Sequence, residues 1–581
     1  MKSHTSALLS RNGQDILKAD TTLGSGNFLD RCLAVNPACD VAFLFLDAPV
    51  TLPCGQTYRG FSLNTLDLAR RSLARWYISL GVKRNDIVAV MVAEGISPFL
   101  HYLALTSLGA TGSLMNPAMP IDAAAAYIQK HGFTRLVVDD SLSRALELVA
   151  QLEEALAPCE IVPCPRGGEP RDETMPSWWP VEPGDSTLVL LSHTSGTTGV
   201  PKAVRHEHRQ FFMRKRVRIG QFMEHPDDRL LTALPQSHSA GISHLEIAVL
   251  HGIPTLVLSN LLGEPVRSAI QTFSPSIVLG FPQTYTSLVE TGIAPNEFPS
   301  VRRWFSMGDA AHESHVRQVL DGSDDSRFMD LYGNSELGMV LAKEVSREKN
   351  LRSRRLIGRP VEISLAKVLH PDTGQELAEG GIGLIAILSP TSTTGYWRQP
   401  ELTANAWRNG YFLTGDIGYA ERGNFYQVDR AVDVISLPGG PLYSLLLEEE
   451  LQQIPAIHDV SVVGTLPDVR TGQSSGVFAL VVPERESPEC DEAVADKAWA
   501  ALHGAMKQAG VDTAGIPVFV AVTRDTTGIP VGATGKVLKR RLRESFSAYV
   551  DTPINARDSF YGIHYITTGM LADRYPERIR A

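Results

Sequence analysis

Short apolar runs alternate with longer amphipathic stretches over most of the 581 residues of this chain. Each run is bounded by Gly, Pro or polar residues, which is typical of buried strands. The stretches between them, such as Leu63–Leu80, have the amphipathic pattern of helices, and this one ends at Gly81. The alternation predicts an α/β fold with mainly parallel sheets. The candidate strands are Ile87–Val92, Leu136–Asp139, Thr187–Leu191, Leu230–Leu234, Thr255–Leu258 and Ser276–Leu279.

The pattern changes near residue 430, and a length of 581 residues exceeds what one ordinary hydrophobic core contains. Beyond that point come a Gly-Gly turn, an acidic helix at Leu445–Gln453 and short strands, which predict a small α+β domain. The large domain is expected to contain layered α/β subdomains. The predicted divisions are a large domain at 1–429, a hinge at 430–433, a small domain at 434–545 and a C-terminal extension at 546–581.

The composition excludes several classes of protein. The 54 basic and 64 acidic residues are mixed along the chain and give a net charge of −10, whereas nucleic-acid binders usually show a basic face. The basic run Arg214–Arg218 is interpreted as a solvated helix face. None of the six cysteines has C-x-x-C spacing, so we expect neither a zinc site nor disulfides, and a cytoplasmic location. No apolar stretch approaches the roughly twenty residues that span a bilayer.

The segment SHTSGTTGVPKAV, at 192–204, directly follows a candidate strand. Its hydroxyls and glycines can present O–H and backbone N–H donors to a polyphosphate, and its lysine adds a positive charge. The spacing of a Walker loop is absent. On composition alone, a Ser/Thr-rich surface loop is as good an interpretation as a phosphate loop. The candidate nucleotide-binding residues here are Thr194, Ser195, Gly196, Thr197, Thr198, Gly199 and Lys202.

This string resembles the phosphate loop of the adenylate-forming superfamily, TSGTTG-x-PKG, with Ala203 in place of the last glycine. The superfamily includes acyl-CoA synthetases, adenylation domains of peptide synthetases and firefly luciferase, and the resemblance covers roughly residues 40–545. It implies that the chain uses ATP and Mg²⁺ to join a carboxylic acid to AMP, releases pyrophosphate and passes the acyl group to a second substrate. It also implies that the small domain is mobile.

A second motif, LYGNSE at 331–336, is similar to the family's YG-x-TE, with Ser335 in place of Thr. Magnesium prefers hard oxygen ligands and bridges phosphates, so Glu336 is the candidate metal ligand. The resemblance implies that Tyr332 lies beside the adenine, that Gly333 belongs to the same nucleotide site, and that Ser335 reaches the α-phosphate.

A third motif, GYFLTGDIG at 410–418, is similar to the family's Y-x-TGD. An ionised carboxylate only accepts hydrogen bonds and has room for two donors, so Asp416 can bind both ribose hydroxyls. Arg430 stands where the family has a second ribose contact.

The fourth motif, IPVGATGKVLKR at 529–540, resembles the family's P-x-x-x-x-GK-x-x-[KR] and gives Lys536 as the catalytic lysine. The reaction needs a cation because a carboxylate must attack the α-phosphate while both groups are negative. A positioned lysine lowers that repulsion and stabilises the charge that develops at phosphorus.

Weaker matches concern the acid pocket. LPQSHSAG at 234–241 resembles the family's LP-x-x-H and would place His238 near the acyl group, although a structural histidine is an equally good interpretation. SMGDAA at 306–311 resembles the family's SGGA turn, with Asp309 replacing a glycine and assigned to the nucleotide site. The run GFPQT at 280–284 lies where relatives form a wall of the pocket.

The sequence also bears on both substrates. Amino-acid-activating relatives have an Asp in the region of Leu234–Gly241 that binds the substrate's ammonium. No acidic residue lies between Asp228 and Glu246 in this chain, which argues against an α-amino acid. Val432 replaces the Asp or Lys of the family's hinge. The segment at 435–450, which in relatives contacts the pantetheine arm, lacks a clear Pro-x-E-x-E pattern.

The leading hypothesis is therefore an acid–thiol ligase with coenzyme A as acceptor. Transfer to a carrier-protein phosphopantetheine or to an amine remains an alternative. A non-catalytic nucleotide-binding protein is disfavoured, because the lysine, the two carboxylates and the junction arginine of the four motifs are all retained.

Overall fold

The computed structural model describes most of the chain and divides it into two compact units. The first unit contains Met1–Leu351, Ile357–Leu365 and Ile387–Phe412, and the second contains Arg352–Leu356, Ala366–Ala386 and Leu413–Ala581. The predicted domain boundaries and hinge stay predictions. The described residues are 6–139, 143–154, 159–165, 167, 174–194, 200–309, 311, 313–347, 355–468, 470–484, 487–511, 516–526, 529–530, 537–551 and 563–568.

Helices and strands alternate along the described residues, as the sequence pattern predicts. The helices are α1 Arg11–Ala19, α2 Phe28–Val35, α3 Leu63–Ser79, α4 Ser97–Ser107, α5 Ile121–His131, α6 Ser143–Glu154, α7 His208–Val217, α8 Ser239–His251, α9 Gly263–Phe273, α10 Pro282–Glu290, α11 Glu313–Asp321, α12 Pro400–Asn405, α13 Ser444–Leu451, α14 Asp491–Gln508 and α15 Lys539–Asp551.

The strands are short in the first half of the chain and longer in the hairpins near its middle. They are β1 Leu44–Thr51, β2 Thr57–Phe61, β3 Ile87–Met91, β4 Thr111–Leu114, β5 Arg135–Val138, β6 Glu160–Pro163, β7 Leu188–His193, β8 Ala203–Glu207, β9 Leu230–Thr232, β10 Thr255–Val257, β11 Ile277–Gly280, β12 Arg303–Met307, β13 Arg327–Asn334, β14 Gly338–Val345, β15 Leu356–Pro360, β16 Leu365–Leu369, β17 Gly383–Leu388, β18 Trp407–Arg408, β19 Tyr411–Glu421, β20 Asn424–Arg430, β21 Ile435–Leu437, β22 Gly440–Leu442, β23 Ile457–Gly464, β24 Val477–Pro483, β25 Val518–Thr523 and β26 Ile563–Thr568.

Two mainly parallel sheets form the first unit. One has the order β6-β5-β3-β4-β7-β8, and only its β7–β8 pair is antiparallel. The other has the order β2-β1-β10-β9-β11-β12-β13-β14-β15 and is parallel from β1 to β13. Strands such as β4, β9 and β11 are buried along their whole length, because parallel sheets are covered on both faces. The predicted α/β fold class is confirmed, and all six candidate strands are present.

Local signals set the ends of the helices that pack on these sheets. The helix α3 begins after Ser62, whose hydroxyl accepts from the backbone N–H of Thr65, while the Thr65 hydroxyl accepts from the N–H of Ser62. The helix α8 ends at Gly252 in the left-handed conformation, where a side chain would collide with the Ala7 carbonyl oxygen. Of the helices in the described residues, none is both long enough and apolar enough to cross a lipid bilayer.

The second unit contains the strands β16-β17-β19-β20 and a separate sheet of order β23-β24-β25-β26. Apolar residues of α13, α14 and the separate sheet form one core of this unit. The boundary predicted at 545/546 falls inside α15, and the ring of Phe546 stacks on Phe478 at 4.2 Å. The strand β26, in the predicted extension, pairs antiparallel with β25.

Candidate active site

The β7–β8 hairpin carries the predicted phosphate loop. Ser192 pairs with Val204 across the two strands. Beyond them the Thr194 N–H donates to the Lys202 carbonyl at 3.1 Å, and the Lys202 N–H donates to the Thr194 hydroxyl at 3.3 Å. The loop is therefore closed at its base by its first and last candidate ligands. Ser195–Gly199 lie outside the described residues, so their phosphate contacts stay predictions.

The LYGNSE motif forms the turn of the β13–β14 hairpin. Gly333 is required there, because an added Cβ would lie 1.9 Å from the carbonyl oxygen of Gly338. The side chain of Asn334 accepts from the Leu337 N–H at 3.0 Å and closes the turn. Ser335 and Glu336 are buried at its tip, and Tyr332 is half-buried on the strand before them.

A hydroxyl-rich segment at 389–396 holds Glu336 in place. The Tyr396 hydroxyl donates to Oε1 of Glu336 at 2.9 Å, and the Thr393 N–H donates to the Glu336 carbonyl at 2.6 Å. Thr391 donates to the carbonyl of Leu337 at 2.7 Å. Among the described residues, the second carboxylate oxygen of Glu336 accepts no hydrogen bond. Sequence reasoning missed Tyr396, and the signal that it overlooked is the run of hydroxyl residues SPTSTT that precedes it.

Tyr396 also connects Glu336 with the phosphate loop. The ammonium of Lys202 lies 4.9 Å from the centroid of the Tyr396 ring. Burial and the neighbouring Glu336 carboxylate raise the pKa of the Tyr396 phenol, so that the phenol stays protonated and donates. One tyrosine thus contacts both a cation, which lies over its ring, and a partly unsatisfied carboxylate, which accepts from its hydroxyl. This donor set is suitable for a polyphosphate with a bridging magnesium ion.

His238 and the predicted turn at 306–311 both approach the ring of Phe281. The histidine precedes α8, and its Nδ1 accepts from the Ala240 N–H at 3.1 Å, so the ring proton is on Nε2. Its ring meets that of Phe281 edge-on at 5.4 Å, and a Cβ at Gly308 would lie 3.2 Å from Phe281. Burial lowers the pKa of His238 to about 4 and keeps the side chain neutral. Asp309 is exposed beside this group.

The two predicted ribose ligands are neighbours in the second unit. Asp416 on β19 pairs directly with Arg430 on β20, and the side chains approach to 3.7 Å. The Thr414 hydroxyl donates to the Ile385 carbonyl at 2.8 Å and accepts from the Asp416 N–H at 3.1 Å, which fixes the start of this strand. The catalytic candidate Lys536 lies outside the described residues.

The basic run at the end of α7 is not a solvated helix face, and that prediction is wrong. Lys215 is 1% exposed, and its ammonium contacts the carboxylate of Glu246 on α8, which is 0% exposed. The hydroxyl of Tyr102 donates to the same carboxylate at 2.7 Å. Packing of α7 against α8 therefore depends on a buried ion pair.

Comparison with known proteins identifies the family of this chain. The sequence profile of the AMP-binding enzymes matches residues 39–397. The chain belongs to this family. A relative from Streptomyces sp., 3-aminoavenalumate diazotase, is 33% identical over 567 residues, which cover 93% of this chain and 99% of that protein. The 3-hydroxybenzoate–CoA ligase of Aromatoleum sp. (strain CIB) is 24% identical over 81% of this chain and 88% of its own length.

The fold of the family is also seen in solved structures. The crystal structure of ATP-bound MatB from Rhodopseudomonas palustris superposes with a TM-score of 0.74 at 21% identity, over 90% of this chain and 99% of MatB. The resemblance to the adenylate-forming superfamily is confirmed, and the chain is a member of a family of adenylate-forming acid ligases.

Proposed function

We propose that this chain uses ATP and Mg²⁺ to convert an acid into its adenylate. An oxygen of the acid attacks the α-phosphorus of ATP, the bond to the β-phosphate breaks, and pyrophosphate leaves. The observation that carries this proposal is the contact series from Lys202 through Tyr396 to Glu336, which joins two motifs 134 positions apart in the chain. If the two motifs had separate structural roles only, this series of contacts between them would not be expected.

Each residue has a distinct part in that step. Lys202 would balance negative charge on the phosphates, and Glu336 would hold the magnesium ion, which reduces the phosphate charge when it is bound. Tyr396 orients the Glu336 carboxylate. Asp416 and Arg430 would bind the ribose, and Lys536 would bring the acid and the α-phosphate together, as the sequence predicts.

We further propose that nitrite is the acid in this first step and that an aromatic amine is the acceptor in the second step. The chain would then be a diazotase. The support is the diazotase relative, which is similar to this chain over nearly its full length. The name of that relative describes an amino-substituted carboxylate as substrate. The absence of a clear Pro-x-E-x-E pattern in the segment at 435–450 agrees with an acceptor other than a pantetheine thiol.

The atoms of this reaction balance without an oxidant. Nitrite oxygen displaces pyrophosphate from ATP and gives O=N–O–AMP. The amine nitrogen then attacks the nitroso nitrogen, the N–O bond to AMP breaks, and AMP leaves with the bonding electron pair. The nitrosated amine releases one proton to give the N-nitrosamine, whose remaining N–H proton shifts to oxygen. The hydroxyl takes up the released proton and departs as water, which leaves the aryl diazonium ion.

A second candidate is the carboxylic acid–CoA ligase that the sequence analysis favours, with a carrier-protein phosphopantetheine or an amine as other acceptors. The 3-hydroxybenzoate–CoA ligase supports it, because that enzyme is similar to this chain over 81% of its residues. A neutral histidine beside an aromatic ring, as in His238 and Phe281, also suits the recognition of an aryl carboxylate.

Acid-dependent exchange between ATP and pyrophosphate separates the two candidates. The full chain is assayed with nitrite and with fatty, aryl and amino acids, and products are then identified by mass spectrometry with an aryl amine, coenzyme A or a carrier protein. Exchange with nitrite, and a diazonium product trapped by azo coupling, would support the first candidate. Exchange with a carboxylic acid alone, followed by a thioester, would establish the second.

Replacement of Tyr396 by Phe tests the site itself. The change preserves the ring beside Lys202 and removes the hydrogen bond to Glu336. Loss of a hydrogen bond to a charged group should reduce the exchange rate by roughly 10- to 100-fold. Tyr58→Phe is the matched control, because its hydroxyl pairs with Gln56 on the surface. An exchange rate equal to that of the control would remove Tyr396 from the mechanism.

A further inference from the structure

The helix α7 and its C-cap residue carry five lysine and arginine side chains, and three of them have hydrogen-bond or ion-pair partners. Arg209 forms an exposed ion pair with an aspartate, and the guanidinium of Arg216 donates to two backbone carbonyls of the chain's N-terminal segment. Lys215 forms the buried pair with Glu246 on α8. Arg214 and Arg218 remain, and a spacing of four residues places them on the same side of the helix.

Neither of these two guanidinium groups makes a hydrogen bond or an ion pair with another described residue. Both are half-buried, and Nε of Arg218 is fully buried without an acceptor. The acidic group that acts on Arg214 is Glu362, whose side chain is exposed. Burial and the charge of Arg218 lower the pKa of Arg214 to about 10. Two like charges in a partly dehydrated space are costly unless an anion occupies it.

The neighbouring α8 adds no negative charge at this place. His244 is close enough to both arginines for their charges to lower its pKa, which burial reduces to about 4. Its Nδ1 donates to the carbonyl of Ala240 at 2.8 Å, so this nitrogen is already used. Glu246 lies two positions further and is held by Lys215 and Tyr102.

The start of α7 lies beside the Glu336 turn. Gln210 donates to the carbonyl of Thr391, and the Thr391 hydroxyl donates to the carbonyl of Leu337, the residue after Glu336. At a rise of 1.5 Å per residue, Arg214 lies about 6 Å and Arg218 about 12 Å further along the helix axis. A substituted aromatic ring spans a distance of this size.

We propose that Arg214, supported by Arg218, binds an anionic group at the end of the substrate that is remote from the reacting atom. A carboxylate is the suitable group, because the planar guanidinium can donate to both of its oxygens at once. The orientation rests on the proposed function: the amine of an aromatic aminocarboxylate would face the adenylate, and its carboxylate would face α7. The anion subsite itself is independent of the acceptor chemistry.

Binding of a charged and an uncharged ligand of the same shape tests this subsite. The full chain is titrated calorimetrically with 3-aminocinnamate and with 3-aminocinnamamide. The wild type should bind the carboxylate roughly 10- to 100-fold more tightly than the amide, which is the difference expected from one charge-assisted interaction. Arg214→Gln should abolish this preference and leave the affinity for the amide within about threefold. Arg214→Lys, which keeps the charge but not the fork, should show an intermediate preference.

Two variants control for general effects of charge. Arg209→Gln removes a positive charge from the same helix at an exposed ion pair and should keep the preference. Glu362→Gln should also keep the preference for the carboxylate. If Arg214 acted only through its interaction with Glu362, the preference would be lost in Glu362→Gln as well as in Arg214→Gln. The proposal is overturned if the wild type binds both ligands equally, if it binds neither, or if Arg214→Gln retains the preference. Should Arg214→Gln fail to fold, Arg214→Lys and Arg218→Gln are titrated instead. A weakened preference for the carboxylate in these variants supports the subsite, and the wild-type preference in both overturns it.

The outcome can be separated from that of the proposed function. If nitrite supports no pyrophosphate exchange but Arg214 still sets the preference for the carboxylate, the subsite stands and the diazotase proposal fails. If the wild type diazotises the amide as fast as the acid, the diazotase proposal stands and the subsite fails.

Discussion

Each of the two units contains a lysine that is buried against a glutamate, and the two ion pairs differ in how completely they are sealed. In the first unit, the side chains of Lys215 and Glu246 are 1% and 0% exposed. In the second unit, Lys539 on α15 contacts Glu448 on α13 at 2.7 Å, and these side chains are 10% and 12% exposed. Both pairs join two helices, but only the first is cut off from water.

The charge balance of the two sites differs as well. Glu246 faces one ammonium and one neutral phenol, so the first site has no surplus charge. In the second site the Lys539 ammonium also acts on Asp429 and donates to the Ser444 hydroxyl at 2.7 Å. Ser444 in turn donates to Asp429 at 2.9 Å. Two carboxylates therefore share one lysine, which makes the second site sensitive to pH.

Removal of the lysine from the first site should have the largest effect. Lys215→Met leaves the Glu246 carboxylate buried without its cation, and such a loss typically costs 3–5 kcal/mol, so we expect destabilisation of about 4 kcal/mol. Urea unfolding gives the free energy, and hydrogen exchange of α8 peptides assigns the change to the first unit.

The double variant Lys215→Met/Glu246→Met should recover much of this stability, because it leaves no unpaired buried charge. Arg209→Gln on the same helix should shift the free energy of unfolding by less than about 1 kcal/mol, as exposed pairs contribute little. A shift of similar size in Lys215→Met and Arg209→Gln would show that the buried pair does not hold α7 against α8.

The corresponding change in the second unit, Lys539→Met, should cost less, roughly 2–3 kcal/mol, because water can reach and partly screen the two carboxylates. Hydrogen exchange of peptides from α13 measures the effect in this unit. Lys497→Met, which removes an exposed partner of Glu489, is the matched control. If Lys539→Met costs more than Lys215→Met, exposure does not decide the strength of these pairs.

The sequence predicts the fold well because the pattern of a parallel sheet is local. A strand that is covered on both faces needs a continuous apolar run, and Leu230–Thr232 and Ile277–Gly280 show such runs without reference to any other part of the chain. The motifs at 192–204 and 331–336 are evident in the sequence for a related reason. Each motif is a run of adjacent residues, so it can be recognised within one segment.

The features that the sequence analysis missed depend on contacts between distant segments. Tyr396 meets Glu336 across 60 positions, and nothing in the local sequence of either residue identifies the partner. The burial of Lys215 had a usable signal: Glu246 is the one acidic residue of α8, SAGISHLEIAVLH, in which apolar residues predominate. A carboxylate on a helix without a polar face needs a buried cation, and a basic residue on a preceding helix is a natural source.

The smallest effect concerns the surplus carboxylate of the second site. Burial raises the pKa of Asp429 from 3.8 to about 6. The folded chain then holds this proton more tightly than the unfolded chain, so the group contributes stability below pH 3.8 that is lost as the pH rises through 6. Relative to the wild type, Asp429→Asn should gain roughly 1–2 kcal/mol between pH 4.5 and 7, because its neutral amide cannot ionise.

Urea unfolding of both proteins at these two pH values, with exchange of α13 peptides as the local probe, measures that gain. Asp496→Asn is the control, because this aspartate is exposed on α14 and takes no part in the Lys539 site. Parallel pH curves for the wild type and Asp429→Asn would show that Lys539 neutralises both carboxylates. The two sites would then differ only in exposure, and the surplus charge that distinguishes the second from the first would have no energetic consequence.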